Sequence, residues 1–557
     1  YAVVKSYMAH HQGMSFLSFA YVLLDKPMQR RFLADPMFKA TELLLQEKIP
    51  ADVPFLYDTE ITGPLRQVEE REALLRVFTN PDTPTPEIHL LSNGKYSVMV
   101  TNAGAGYSRW KNIAVTRWRE DAALDNEGAF VYIRDKQTGD FWSAAHQPTL
   151  KKSRNYEAVF SQSRAEFKRR DYSIDTHMEI VVSPEDDAEL RRITITNRSR
   201  DKRHLEFTSY AEAVLNYPEA DQAHSAFSNL FIRTEIIKPY QAIICARRPR
   251  SEDESYPFIL HLMAVHGNST APASYETDRS KFIGRCGTKA DPAAMHDNGV
   301  LSDSEGAVLD PIISIRGSVE LDSQESAVVD YVTAVCGSME DAKKLIEKYR
   351  DRNLADRVFN LSWTHGQVAL QQINATEADA QLYGRLAGAI VYSNPAWRAA
   401  ATIIKKNLRG QPDLWGYSIS GDLPIVLVRV EDPENIDIID RLVQAHSYWR
   451  MKKLKMDLVI WNEDHSVYRD DMSEKINSLI SKNGAGMSNQ PGGIFLRRAD
   501  QMSEEDKVLM QAVARIIITD RGGTLAEQIE RMSHIRPQRP VLNVVKRFGI
   551  EKDDEGI

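Results

Sequence analysis

The sequence predicts a multidomain α+β protein built around a large antiparallel β-sandwich, with helical regions before and after it. Three observations carry this prediction. Between residues 87 and 337 the hydrophobic period is that of strands, run after run, with turn signals between them and no crossover helices of the βαβ kind. On both flanks the apolar residues recur at helical spacing instead. The chain has 557 residues, more than one hydrophobic core normally serves, so several domains are expected.

Composition narrows the function classes. Hydrophobic residues make up 42%, charged residues 27% and aromatic residues 8%, an ordinary globular profile. The formal net charge of −8 comes with no dominant basic stripe, which argues against nucleic acid as a partner. Cys245, Cys286 and Cys336 are too few and too widely spaced for a disulfide framework or a metal knuckle, and they suit a reducing compartment. No apolar run reaches membrane-spanning length, so direct insertion by this segment is not expected. The first residue is Tyr1 and falls inside a helical pattern, which reads as a piece of a longer polypeptide.

Taken in order, residues 1–48 read as helices, with a second amphipathic piece at 38–47. His10 and His11 are adjacent, so on a helix they point about 100° apart and do not chelate one ion together. Residues 49–86 are proline-rich and read as a linker holding at most one short helix or edge strand. Within the sandwich, residues 95–102 alternate with Tyr96, Val98 and Val100 on one face, after a tight-turn signal at Asn93-Gly94. Further strands are expected at 129–134, 156–160, 173–182, 190–197, 205–215, 230–237, 258–265, 312–321 and 327–335. Residues 338–533 read as an α-helical region, with helices at 339–350, 352–370, 376–392, 396–407, 436–452, 471–482, 503–519 and 525–532. Inside it, 425–430 is a fully apolar run and 458–463 resembles a short buried strand. Residues 534–557 read as an outgoing linker.

Two stretches combine the residue types that sugars require. Sugars offer apolar C–H faces that stack on aromatic rings, and hydroxyls that need charged or amide partners. The first stretch holds Tyr107, Trp110, Arg117, Trp118 and Asp121 beside Gly104 and Gly106; the second is the loop with Trp415, Tyr417 and Asp422. Each also has a structural reading, as core and rim aromatics or as turn-forming carboxylates. His446, Trp449 and Arg450 share a helix face that either lines a groove with Trp415 and Tyr417 or packs between domains. Glycosyl transfer, phosphorolysis and hydrolysis all use a carboxylic acid near the scissile oxygen. Glu120, Asp121, Asp422, Glu463 and Asp464 lie beside aromatics and are the candidates, Asp422 being the one put forward as a catalytic acid. No metal-ligand spacing is found, and Gly104 and Gly106 lack the following helix of a nucleotide site.

Several long stretches also resemble the middle part of cyclic β-1,2-glucan synthases. SYMAHHQGMSFLSFAYVLLDKPMQRRF with ATELLLQEKIP is similar to the end of their glucoamylase-like α/α-toroid domain. HLLSNGKYSVMVTNAGAGYSRWKNIAVTRWRED is similar to the start of the supersandwich that these synthases share with cellobiose- and chitobiose-type phosphorylases, the glycosyltransferase 36-like proteins. AFSNLFIRTE, YETDRSKFIGR, LWGYSISGDLPIVLVRV, AHSYWRMKKLKMDLVIWNE and GGIFLRRADQMSEEDKVLMQAVARIIITDRGGTLAEQIER continue the resemblance in order.

The resemblance implies a membrane-anchored bacterial parent enzyme, with this segment at the cytoplasmic face of the inner membrane. A UDP-glucose donor and a divalent metal would belong to an upstream module, so no cofactor is expected in the segment. The general-acid aspartate of a phosphorylase-like barrel would lie downstream, and the family's catalytic residues carry over onto no residue here. The leading expectation is a segment that binds or positions a β-glucan chain for neighbouring modules of the same polypeptide. Two alternatives stand beside it: a working glycoside phosphorylase using inorganic phosphate and Asp422, and a structural spacer that binds nothing.

Overall fold

The computed structural model describes residues 9–34, 75–251, 254–267, 272–296, 299–463, 471–484 and 488–533. The predicted helix at 38–47, the linker at 534–557 and Asp464 lie outside these residues, as does most of the 49–86 linker.

Two nine-stranded antiparallel sheets stack to make the sandwich. The first runs in space through Arg76–Phe78, Asn155–Ser161, Arg164–Asp171, Ile174–Val182, Ala188–Asn197, Ser326–Cys336, Phe258–His266, Ala242–Arg247 and Ile232–Ile237. The second runs through Ser274–Asp278, Pro311–Leu321, Arg203–Asn216, Ile113–Thr116, Gly106–Trp110, Tyr96–Thr101 and Ile88–Ser92, with Ala129–Asp135 and Phe141–Ser143 branching from it. Phe160, Phe167, Ile180 and Ile193 from the first sheet meet Val98, Val115, Phe207 and Ile315 from the second in one core. Strand Arg164–Asp171 escaped the sequence reading because it is mostly charged. Its period of two is nonetheless regular: Ala165 and Phe167 are buried inward, while Arg164, Glu166 and Lys168 face away from the core.

The outer face of the first sheet is covered by helices Met339–Arg350 and Arg352–Gln372, which press Ile346, Tyr349 and Val358 onto Leu190, Leu260 and Val332. Both helices start where the sequence places them, capped by the side chains of Ser338 and Asp351. Helix Glu377–Val391 follows with a full capping box from Thr376 and Asp379.

The helical reading of 338–533 is corrected by a second sheet system. Ile494–Arg498, Asp457–Asn462, Ile425–Val430 and Ile516–Thr519 form a four-stranded parallel sheet in that spatial order. Helices Asp437–Met451 and Asp471–Gly484 supply crossovers, giving a small α/β unit. The predicted helix at 503–519 splits into helix Glu504–Val513 and strand Ile516–Thr519, because three consecutive isoleucines favour a strand, here at the edge of the sheet beside Ile425–Val430. The predicted helix at 396–407 is reduced to the turn Pro395–Trp397 and the short helix Ala401–Ile404, after which the Asn407 side chain bonds the Arg409 backbone.

The α/β unit and the sandwich share one core. Ile88, Leu90, Met99 and Tyr107 of the sandwich pack with Tyr383, Leu386, Ile390, Val426, Trp449 and Leu458. Arg515 clamps the joint from a buried position. Its Nη1 donates to the carbonyls of Ile390 and Val391 at 3.0 and 2.9 Å, and its Nη2 to Glu120 Oε2 at 3.0 Å. Helices Ala9–Leu23 and Pro27–Leu33 bury no residue against the rest.

Candidate functional site

The first sequence-predicted stretch lies at the joint and is largely internal. Tyr107 is buried in the shared core, with the Arg109 guanidinium 4.1 Å over its ring. Trp118 stands edge-on between Tyr107 and Tyr392, with ring centroids 5.4 and 5.9 Å away. Trp110 donates its indole N–H to Asp187 at 2.6 Å, and Lys111 covers its ring at 4.1 Å. Asp121 caps a turn, accepting the N–H groups of Ala123 and Leu124 at 2.9 Å each. Glu120 pairs with Arg515 rather than with Arg117 or Arg119.

Arg117 is taken up entirely within the protein. Its Nη1 donates to Glu212 at 2.7 Å, its Nε and Nη2 fork onto Asp221 at 3.0 Å each, and Nη2 also reaches Asn229 at 2.7 Å. This bidentate geometry is a strong ion pair in a buried setting. Burial alone would raise the Glu212 carboxyl, but Lys289, Arg117 and Arg279 hold it down at about 2. Arg117 therefore locks the long strand Arg203–Asn216 to the segment that follows it, and contact with sugar hydroxyls is replaced by this structural role.

The joint also holds a carboxyl that sequence reasoning missed. Asp125 accepts Thr101 Oγ1 at 2.7 Å and Tyr392 Oη at 2.9 Å. Burial lifts it to about 7 against those two hydrogen bonds, with Asp121 adding to the rise. Its only sequence signal is a position four residues beyond Asp121 in the same loop.

The second predicted stretch is on the surface. Trp415 is 61% exposed, and its indole N–H donates to the Ser420 carbonyl at 3.2 Å. Gln411 Nε2 donates to the same carbonyl at 2.8 Å and to Asp422 Oδ1 at 3.2 Å. Gly421 sits at φ +75°, where a Cβ would lie 3.0 Å from Gln411 and 3.1 Å from Leu414, so glycine is what lets this loop close. Tyr417 is half-buried and donates to Asp506 at 2.8 Å. The loop thus presents a fixed indole face beside an exposed carboxylate and an amide, the set that can stack on a sugar ring and bond its hydroxyls.

Beneath the loop, Asp457 is fully buried. Its Oδ1 accepts the Gly492 N–H at 2.7 Å while its Oδ2 has no hydrogen-bond partner. Burial raises it to about 7, the Gly492 N–H opposing and the Asp422 charge adding. His446 donates to or accepts from nothing on the surface; it is buried against the Gly492 carbonyl at 3.0 Å and pushed down to about 4 by burial. Trp449 is buried too, donating to the Tyr383 carbonyl at 2.9 Å, so this helix face packs inside and does not line a groove with Trp415. Glu463 is held by Arg429 at 3.0 Å. Trp110, Trp118 and Trp415 occupy three separate environments. Among the described residues one set, Glu166, His177 and Glu179, brings possible metal-ligand atoms within 4.8 Å of one another, but Arg164 and Lys168 already pair with its carboxylates.

Comparison with known proteins bears on the fold and the family. The model of the glycosyl hydrolase 94 supersandwich domain matches residues 71–352. The chain is 34% identical over 539 residues to the cyclic beta-(1,2)-glucan synthase NdvB of Rhizobium meliloti (strain 1021), covering 96% of this chain and 19% of that protein. It is 24% identical over 288 residues to the N,N'-diacetylchitobiose phosphorylase of Vibrio proteolyticus, covering 51% of this chain and 35% of the relative. The solabiose phosphorylase of Paenibacillus borealis is 22% identical over 283 residues, or 49% of this chain and 35% of the relative. The chain thus spans 19% of the length of the synthase and 35% of these phosphorylases. The colinear resemblance read from the sequence is borne out by the first of these alignments. Among the described residues no helix is long and apolar enough to cross a membrane.

Proposed function

Because the chain belongs to the glycosyl hydrolase 94 supersandwich family, we propose that it holds a β-glucan chain for bond chemistry carried out by other modules of the same polypeptide. The observation that carries this reading is the Trp415 surface. Trp415 is kept 61% exposed on a loop whose backbone is pinned by Gln411, with Asp422 at its side. An aromatic face with hydrogen-bonding groups at its edge, on a rigid support, matches what binding a sugar ring demands. In this reading a sugar-nucleotide donor and a divalent metal act in an upstream module, and the segment works at the cytoplasmic face of a bacterial inner membrane.

Phosphorolysis at Asp422 gains no support from its surroundings. A phosphate site needs converging donors, yet Arg409 is bound to Asp413 and Asp506, and Arg497 to the Tyr417 carbonyl. Titrating the folded chain with linear β-1,2-gluco-oligosaccharides, read by tryptophan fluorescence and calorimetry, tests the proposal. Saturable binding weakened about tenfold in Trp415→Ala, roughly 1.4 kcal/mol, is expected. A folded chain that binds none of these sugars would make it a spacer. Phosphate-dependent turnover abolished by Asp422→Asn would make it a phosphorylase.

A further inference from the structure

A groove of about 450 Å³ runs between the outward face of strand Arg164–Asp171 and helix Arg352–Gln372, on the far side of the first sheet from the sandwich core. That volume is in the range of small-molecule clefts, about 300–1,000 Å³. Phe359 and Trp363 stand one helical turn apart on the wall formed by the helix. Phe359 is buried as a floor, with the Arg164 and Arg192 guanidinium groups 5.1 and 4.7 Å from its ring. Trp363 is 58% exposed. A lone exposed tryptophan needs no explanation; one that forms the wall of a polar groove does.

The opposite wall is lined by Ser161, Ser163, Arg164 and Glu166, of which Arg164 and Glu166 belong to a polar array shared with the neighbouring strand. Glu166 and Glu179 face each other across the antiparallel pair, and His177 faces Lys168. Two carboxylates directly opposite repel one another, and here the array is balanced by its neighbours. Arg164 Nη1 bonds Glu179 at 2.6 Å, His177 Nε2 lies 2.9 Å from Glu166, and Lys168 is 3.7 Å from Glu166. Arg164, His177 and Glu166 all keep part of their side chains in solvent. The wall therefore offers fixed donors and acceptors at zero net charge, since its charged lining residues are one cation, Arg164, and one carboxylate, Glu166. That selects a neutral polyol over a phosphate or a carboxylated ligand, because neither sign of ligand charge is favoured.

We propose that this groove is a second saccharide site, in which a neutral gluco-oligosaccharide stacks on Trp363 and hydrogen-bonds Arg164 and Glu166 on the opposite wall. It rests on the reading that the chain holds a glucan, and it adds a point of attachment on a different face of the sandwich, independent of the Trp415 loop.

The test uses the full chain and the same linear β-1,2-gluco-oligosaccharides, with Trp363→Ala, Trp363→Phe and Trp415→Ala compared. Trp363→Ala is expected to weaken or remove one class of binding about tenfold with an unchanged melting temperature, since the ring is mostly in solvent. Trp363→Phe, which keeps an aromatic face, is expected to recover most of it. Crosspeaks of the Trp363 indole N–H that shift with added sugar would support the site. Binding that Trp415→Ala weakens but Trp363→Ala leaves intact would overturn this proposal alone. Shifts at Trp363 or His177 produced by zinc or manganese but not by sugar would overturn it in favour of a cation at Glu166, His177 and Glu179. Absence of any sugar binding by the wild-type chain would instead overturn the broader reading on which it rests.

Discussion

Replacing Asp457 by asparagine is expected to flatten the pH dependence of stability, with the variant gaining on the wild type as pH rises. Asp457 opens a central strand of the parallel sheet, is fully buried, and has one oxygen on the Gly492 N–H and the other unpartnered. Its carboxyl lies at about 7 when folded against a reference of 3.8. Between these values the folded chain binds a proton that the unfolded chain has released, so stability is highest at low pH and declines until about pH 7. Each pH unit in that window corresponds to at most about 1.4 kcal/mol. From pH 5 to 7 the wild type therefore loses up to about 3 kcal/mol relative to Asp457→Asn, whose amide keeps the bond from Gly492 but does not titrate. A change of 1 kcal/mol shifts melting by about 2–4 °C for a region of this size, so the gap between the two melting curves changes by about 5–10 °C. Differential scanning fluorimetry from pH 5 to 8 measures it. Asp125 also lies at about 7, but it is present in both proteins and cancels in the difference. Parallel pH profiles for the two proteins would refute the argument that desolvation of this carboxyl burdens the fold.

Three further substitutions address the framework. Arg117→Met strands Asp221 as a buried, unpaired carboxylate and leaves Glu212 to Arg279, Lys289 and Tyr210, and a loss of about 3–5 kcal/mol is expected in urea unfolding; a loss under about 0.5 kcal/mol would mean that the network is dispensable. Gly106→Ala puts a Cβ 1.9 Å from the Met99 carbonyl oxygen at φ +145°, so its soluble yield and melting temperature are expected to fall sharply, and a normal melt would contradict the strand pairing described. Arg515→Met leaves the carbonyls at the end of helix Glu377–Val391 without their donor, and faster hydrogen exchange is expected there while the sandwich core stays protected.

The sandwich was legible because its strands are apolar on a period of two and separated by turn chemistry. The prediction for 312–321 compares with the observed Pro311–Leu321, and that for 327–335 with Ser326–Cys336. Where charge overrode the pattern the reading failed, as at Arg164–Asp171, whose outward face is the wall of a groove and not a plain solvent surface. The parallel sheet was half visible. The runs at 425–430 and 458–463 looked apolar and buried, but periodicity alone does not separate a short buried strand from a buried helix segment, and Ile516–Thr519 was absorbed into the helix before it.

Side-chain roles were harder to read, for a physical reason that the two candidate stretches make plain. A sugar platform and a domain joint call for the same residues: aromatics for area, arginine for bidentate pairing, carboxylates to answer it. What separates the two uses is the partner, and the partners lie far away in sequence. Arg117 meets Asp221 104 residues on, Glu120 meets Arg515 395 residues on, and Tyr392 meets Asp125 across 267. The Trp415 loop is mixed: the bonds of Trp415 and Gln411 close within eleven residues, on Ser420 and Asp422, while Tyr417 reaches Asp506 and receives Arg497. Trp415, whose indole N–H is satisfied five residues away, keeps its aromatic face exposed. The same holds for Trp363, which projects from a helix whose apolar side is already filled by Val358 and Phe359. Exposure of the aromatic face, more than aromatic content, is therefore what distinguishes the two surfaces proposed for a ligand from the residues that hold the sandwich and the α/β unit together.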